Sequence, residues 1–215
     1  LTFALNAPEI RFETIFARIV ASLAAGGQAD LGIGAYVWNE PYVQRLLPAL
    51  RAAGYRGRII LGGPQISYQR EGLEALYPDA DVFVRGYGEQ PLVELLASDA
   101  PRPIAGVHWA GGDDRGEQAS TELSTLASPF LDGIVDVARH HRFLRWETQR
   151  GCPYRCSFCQ HREADIRPVR RILGRHRIEE EIRLFVRHGV RAVAVLDPEF
   201  NLGEHAFEFH DLLRP

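Results

Sequence analysis

All three cysteines of the chain fall in one short stretch, Gly151-Cys152-Pro153-Tyr154-Arg155-Cys156-Ser157-Phe158-Cys159, with the spacing C-x3-C-x2-C. No other feature constrains the chain as strongly. A disulfide framework calls for an even number of cysteines and wider spacing. A structural zinc site calls for four ligands, commonly as two closely spaced pairs; His161, two residues beyond Cys159, is the residue that would complete one. Soft thiolates clustered on one loop are the natural ligands of an iron–sulfur cluster. Three cysteines on a four-iron cube leave one iron open to a substrate or cosubstrate.

Bulk composition narrows the setting. At 215 residues the chain has room for one large domain or two small ones. It is 46% hydrophobic and 25% charged, ordinary for a globular protein. No apolar run approaches a membrane span, and the first residues do not read as a secretory signal. A net charge of −3 gives no electrostatic footprint for nucleic acid. Clustered cysteines point to a reducing, cytoplasmic setting. Methionine is absent, even at position 1, as expected of a chain that begins downstream of its true N-terminus.

Taken in order, the chain alternates strands and helices. Leu1–Leu5 is a possible short strand. Apolar residues at helical spacing from Phe12 to Leu23 predict a helix over 10–25, closed by Gly26-Gly27. Strands are expected over 29–37, 58–61 and 81–84, and helices over 42–53, 71–77 and 90–97. Glycines at the strand ends and this alternation predict a doubly wound parallel α/β sheet in residues 1–100. Ligands of such sheets sit beyond the carboxyl ends of the strands. Three candidate loops lie there: Tyr36-Val37-Trp38-Asn39, Gly62-Gly63-Pro64-Gln65, and Gly86-Tyr87-Gly88-Glu89. Their glycines are expected to let backbone approach a ligand.

Residues 101–142 read as a linker, with a hairpin strand over 104–109 turning at Gly111-Gly112-Asp113-Asp114, and with Ser128-Pro129-Phe130-Leu131 packing between domains. A second domain begins at 143. A strand over 143–147 leads into the cysteine loop, a helix covers 178–188, and a strand covers 192–196. Arg167, Arg170 and Arg171 cluster nearby, either as a solvated face or as contacts to a carboxylate or phosphate. Asp197-Pro198-Glu199-Phe200-Asn201 follows the last strand. Its carboxylates suit a cationic ammonium, and Asp197 or Asn201 would equally serve as a helix N-cap. His205 and His210, five apart, do not match a metal pair.

The cysteine spacing resembles the radical S-adenosylmethionine superfamily, as does the lead-in Glu147-Thr148-Gln149-Arg150-Gly151-Cys152-Pro153. That resemblance implies a [4Fe–4S] cluster on Cys152, Cys156 and Cys159. It also implies S-adenosylmethionine on the open iron, Phe158 against adenine, and an external electron donor. Asp197-Pro198-Glu199-Phe200-Asn201 resembles the family's Asp-x-x-Phe-Asn signature, which implies that Asp197 or Glu199 holds the amino group of S-adenosylmethionine. Residues 143–215 would then be the start of a (β/α) partial barrel.

Residues 28–97 resemble the cobalamin-binding domain that precedes some radical S-adenosylmethionine domains. The resemblance rests on Gly-x-Gly-x-Tyr-Val-Trp-Asn, Leu-Gly-Gly-Pro-Gln-Ile-Ser and Val-Arg-Gly-Tyr-Gly-Glu-x-Pro. It implies that the three loops named above hold cobalamin. The Asp-x-His-x-x-Gly motif that supplies histidine to cobalt in many cobalamin folds is absent. Together the two resemblances imply a methyltransferase acting on a carbon centre of a small molecule, an aromatic, tryptophan-like one in one subgroup. The alternatives are a radical enzyme with an empty cobalamin-like domain, catalysing cyclisation or rearrangement, and a non-catalytic metal-stabilised binding module.

Overall fold

Three short apolar strands, β1 (Leu31–Gly34), β2 (Ile59–Gly62) and β3 (Val82–Val84), lie parallel, and a fourth, β4 (Val107–Trp109), lies antiparallel on β3. The computed structural model describes residues 11–26, 29–97, 100–139, 142–154, 156–159 and 171–199. It divides into two units, Leu1–Thr121 and Glu122–Pro215. The expected strand at 1–5 and the residues Arg167, Arg170, Phe200, Asn201, His161, His205 and His210 lie outside the described residues.

In the first unit the two-residue period of the strands sorts side chains between two layers. Ile59, Leu61 and Phe83 point to one core. There they meet Ile15 and Ile19 of α1 (Phe12–Gly26), and Val43, Leu46, Leu47 and Leu50 of α2 (Glu40–Ala52). Ile66 of α3 (Pro64–Ser67) and Leu73 of α4 (Leu73–Leu76) close that layer. Ile60, Val82 and Val84 point the other way, to Leu95 of α5 (Glu89–Leu96) and to Ile104. Helices therefore cover both faces of the sheet. The strand order is β1-β2-β3-β4, without reversal, so the switch point that defines a doubly wound sheet is not among the described residues.

The amino ends of the parallel strands are pinned by ion pairs. Arg58, just before β2, forks onto Asp30, just before β1. Arg51 reaches Asp81, just before β3, at 2.5 Å, and Asp81 also accepts the Ile59 N–H at 2.6 Å. Such charge-assisted bonds fix the register at one end of the sheet. The loops at the carboxyl end are left to do something else.

The stretch 101–142 is not a linker. Val107–Trp109 forms no hairpin with a following strand; it pairs with β3, Val84 opposite Val107. The segment after it is anchored by Asp114, which grips the buried Arg85 with both oxygens at 2.5 and 2.8 Å. His108 and the Gly111 N–H both reach the Glu74 carboxylate. Beyond Thr121 the chain belongs to the second unit, where Leu123 and Val137 are core residues. Phe130 packs edge-on to Phe185 at 5.0 Å, so the Ser128–Leu131 segment belongs to that unit's own core.

The second unit is built on one strand–helix–strand crossover. β5 (Leu144–Trp146) leads to a two-residue antiparallel ladder of β6 (Gln149–Arg150) with β7 (Arg171–Ile172). Then come α6 (Arg175–Arg187) and β8 (Val193–Val195), and β8 returns parallel to β5. The helix starts three residues earlier than its apolar spacing suggests, because its first turn is arginine and histidine. Its buried stripe is Ile178, Glu181, Ile182 and Phe185. A buried carboxylate is tolerated only when fully partnered, and Glu181 is. It accepts from Ser128 Oγ at 2.6 Å, Trp146 Nε1 at 2.6 Å and Arg177 Nε at 2.9 Å.

Candidate cofactor site

The cysteine loop leaves the carboxyl end of β5, and the Asp197 loop leaves the carboxyl end of its parallel neighbour β8. Gly151 turns the chain into the cysteines at φ +82°, a left-handed conformation that favours glycine. Cys159 N–H bonds to Cys156 O at 3.0 Å, closing a turn that carries those two thiols. Cys156 is exposed, and Cys152 and Cys159 are half-buried. Burial, then the neighbouring Glu199 carboxylate and the Cys156 thiol, hold the Cys152 thiol above the usual range against the lowering bond to Tyr154. Among the described residues no three metal-type side chains converge as a finished ligand set. What the loop offers is the donor chemistry: three unpaired thiols, two of them close enough to feel each other's charge. Phe158 stands between the last two at 91% exposure, an aromatic face with no protein cover.

Asp197 and Glu199, indistinguishable in the sequence, do different things in the structure. Asp197 Oδ1 accepts the Thr148 N–H at 2.7 Å and the Gln149 N–H at 3.1 Å, while Oδ2 accepts the Thr148 hydroxyl. Its charge is spent on the exit of β5. Glu199 Oε2 is buried and has no hydrogen-bond partner among the described residues, although the carboxylate lies against the Cys152 thiol. Buried carboxylate oxygens are rarely left so. Of the two, Glu199 is the acceptor still available to a cation.

The three loops of the first unit are tied to one another. Asn39 is buried; its Oδ1 accepts the Tyr36 N–H and its Nδ2 donates to Gly34 O, both at 2.8 Å. Gln65 N–H donates to Ala35 O, and Ser67 Oγ accepts the Gly86 N–H. Ala119 bridges the third loop, donating to Arg85 O and accepting from Tyr87 N. Two of the four glycines expected to admit a ligand admit backbone instead. A Cβ on Gly63 would stand 2.7 Å from Ala35 O, and one on Gly86 would stand 2.3 Å from Ala119 O. Gly62 and Gly88 have ordinary clearance, Val84 O and Leu92 Cδ1 being 3.7 Å away. Val37 and Trp38 are exposed, with Trp38 stacked on Tyr36 at 4.7 Å. Pro64, Gln65, Tyr87 and Glu89 are half-buried at the same rim.

The Gly-x-Gly motif contains Gly32, but the three candidate loops leave it without a role. It and Gly34 alternate with Leu31 and Ile33 on β1, exposed on the face opposite the larger core, and a Cβ at Gly32 would meet nothing within 4 Å. In the β1–β2 register Gly34 sits opposite Gly62. A Cβ at Gly34 would stand 3.0 Å from Tyr36 Cε2, so the open space lies at Gly32 and the Tyr36 ring bounds it at Gly34. The Gly-x-Gly spacing at strand period was the signal for it.

Comparison with known proteins now bears on this arrangement. Residues 146–215 match the model of the Radical SAM superfamily. Over 188 residues, 80% of this chain and 28% of the relative, the chain is 31% identical to the cobalamin-dependent radical SAM methyltransferase TokK of Streptomyces tokunonensis. It is 31% identical, with the same coverage, to a 2-(S-pantetheinyl)-carbapenam-3-carboxylate methyltransferase of Streptantibioticus cattleyicolor. It is 25% identical to an anaerobic magnesium-protoporphyrin IX monomethyl ester cyclase of Cereibacter sphaeroides, over 69% of this chain and 26% of the relative. The chain therefore spans little more than a quarter of these relatives' length. The cysteine loop and the Asp197 loop both lie inside the matched region, so residues 146–215 are the part of this chain that carries its match to the radical SAM superfamily.

Proposed function

We propose that the chain is part of a cobalamin-dependent radical S-adenosylmethionine methyltransferase that transfers a methyl group to a carbon centre of a small molecule. The observation that carries this reading is the juxtaposition at the carboxyl ends of β5 and β8. There, Cys152, one of three free thiols on a single loop, stands beside a buried carboxylate oxygen that has no partner among the described residues. Cys152, Cys156 and Cys159 would hold a [4Fe–4S] cluster. Glu199 would accept the ammonium of S-adenosylmethionine, giving its orphaned oxygen the charge-assisted partner it lacks. Phe158 would cover the adenine. Bound together, cluster and S-adenosylmethionine supply a one-electron route to activating carbon, and an external donor supplies the electron. The protein's own work is to orient the ligand and keep water from it.

In the first unit, cobalamin is proposed at the rim formed by Tyr36–Asn39, Gly62–Gln65 and Gly86–Glu89. Support comes from the relative named as cobalamin-dependent and from the open space at Gly32, where a Cβ would meet nothing within 4 Å. Asn39, Gly63 and Gly86 shape the rim by bonding to protein; Val37 and Trp38 present the exposed surface. An aromatic, tryptophan-like target has no support among these relatives. Bound cobalamin would supply the methyl carrier.

The cyclase-named relative favours a second reading, a radical enzyme that closes or rearranges a ring with the first unit empty. Cobalt and iron content of protein purified without oxygen, after supplying cobalamin and rebuilding the cluster, separates the two. About one cobalt and about four irons per chain support methyl transfer. Four irons without cobalt favour the second reading, and zinc in place of iron defeats both. No helix among the described residues is long and apolar enough to cross a membrane, and the proposed setting is the cytoplasm.

A further inference from the structure

The loops that carry Glu199 and the cysteines are locked to each other by a reciprocal exchange. Asp197 accepts the backbone N–H groups of Thr148 and Gln149 and the Thr148 hydroxyl. In return the Gln149 side chain donates to the backbone carbonyl of Glu199. Thr148 and Gln149 are both buried. Backbone pairing between β5 and β8 ends with the Leu196 N–H on Trp146 O at 2.8 Å. The Asp197 carboxylate therefore adds a side-chain rung one step beyond the last ladder bond. Gln149 also pairs with Ile172 in the β6–β7 ladder, two residues before Gly151 turns into Cys152. A displacement of Gln149 would thus move the first thiol and the Glu199 backbone together.

We infer that Asp197 and Gln149 are positioning residues that hold the Glu199 carboxylate in register with the cysteine loop, so that breaking the clamp weakens S-adenosylmethionine binding while the cluster remains. The inference rests on the reading of Glu199 as the ammonium acceptor. The clamp touches neither thiol nor carboxylate. Partners of this kind, behind the groups that touch the ligand, typically change affinity by roughly ten- to hundredfold.

The test uses protein purified without oxygen, with its cluster rebuilt, carrying Asp197→Ala, Gln149→Ala, Asp197→Asn or Glu199→Gln. Iron and sulfide are counted, and S-adenosylmethionine is titrated against the electron paramagnetic resonance signal of the reduced cluster. Asp197→Ala and Gln149→Ala should keep wild-type iron and need about tenfold more S-adenosylmethionine for half the spectral change. Asp197→Asn keeps an oxygen for the two N–H groups and should stay within about threefold of wild type. Unchanged titrations in both alanine variants overturn the inference, as does loss of iron in step with loss of binding in both. An unchanged titration in Glu199→Gln, with the alanine variants still weakened, removes Glu199 as acceptor and the register argument with it. A wild-type cluster that does not respond to S-adenosylmethionine removes the underlying reading of the site instead.

Discussion

At the scale of single residues, the contrast between Asp197 and Glu199 shows why residue type alone assigns no role. Both are carboxylates two positions apart, yet one is saturated by Thr148 and Gln149 and the other has a buried oxygen with no partner among the described residues. The cysteines are simpler, because no other residues in the chain could replace them. Cys156→Ala should lose the cluster's visible absorbance and most of its iron; a normal cluster in that variant would end the ligand assignment. Asp114 offers a second test. Its side-chain bond to Arg85, chiefly, holds its carboxyl below the usual range, and Arg85 is only 2% exposed. Asp114→Asn would leave that guanidinium without its counter-charge, and an unfolding titration should show a loss of about 3 kcal/mol. The sign with pH follows from the depressed value. The Asp114 contribution is full above the ordinary carboxylate range and disappears as pH falls through the folded-state value. Wild-type stability should therefore fall on acidification through that window, and the Asn variant should lack this component of the slope.

At the scale of elements, the sequence shows helices and strands through their local periods, because periodicity is a property of neighbours. Pairing is not. Nothing in Val107-His108-Trp109 says whether it bonds to a following strand or back to β3; the free edge of β3 and the Arg85–Asp114 grip decide that. Glycine is likewise ambiguous until its surroundings are known. Gly86 has φ +78° and faces Ala119 backbone, whereas Gly32 faces open space. Gly86→Ala should cost about 2 kcal/mol in thermal or denaturant unfolding. Gly32→Ala should leave the melting temperature nearly unchanged and lower cobalamin uptake. If Gly32→Ala binds cobalt as wild type does, the open space at Gly32 is not part of the cofactor site.

At the scale of the whole molecule, the two units carry separate cores, one pair of layers around Leu50, Leu61, Phe83 and Leu95 and another around Trp146, Ile182 and Phe185. Removing iron should therefore loosen amide protection around Thr148 and Gln149 and leave it intact at Ile59, Leu61 and Phe83. Hydrogen exchange with and without the cluster measures this, and equal loss in both units would contradict separate cores. The order of residues alone bounds the possible chemistry: three thiols on one loop, two carboxylates on another, and a glycine-punctuated α/β alternation. These are local patterns, and local patterns survive without a fold. It took tertiary contacts to divide the stretch 101–142 between two cores, to bring backbone against Gly63 and Gly86, and to bond Asp197 to Thr148 and Gln149 while leaving a Glu199 oxygen without a partner among the described residues. Each of those outcomes depends on which distant groups come within hydrogen-bonding reach, and reach is set by packing, which the order of residues along the chain does not display.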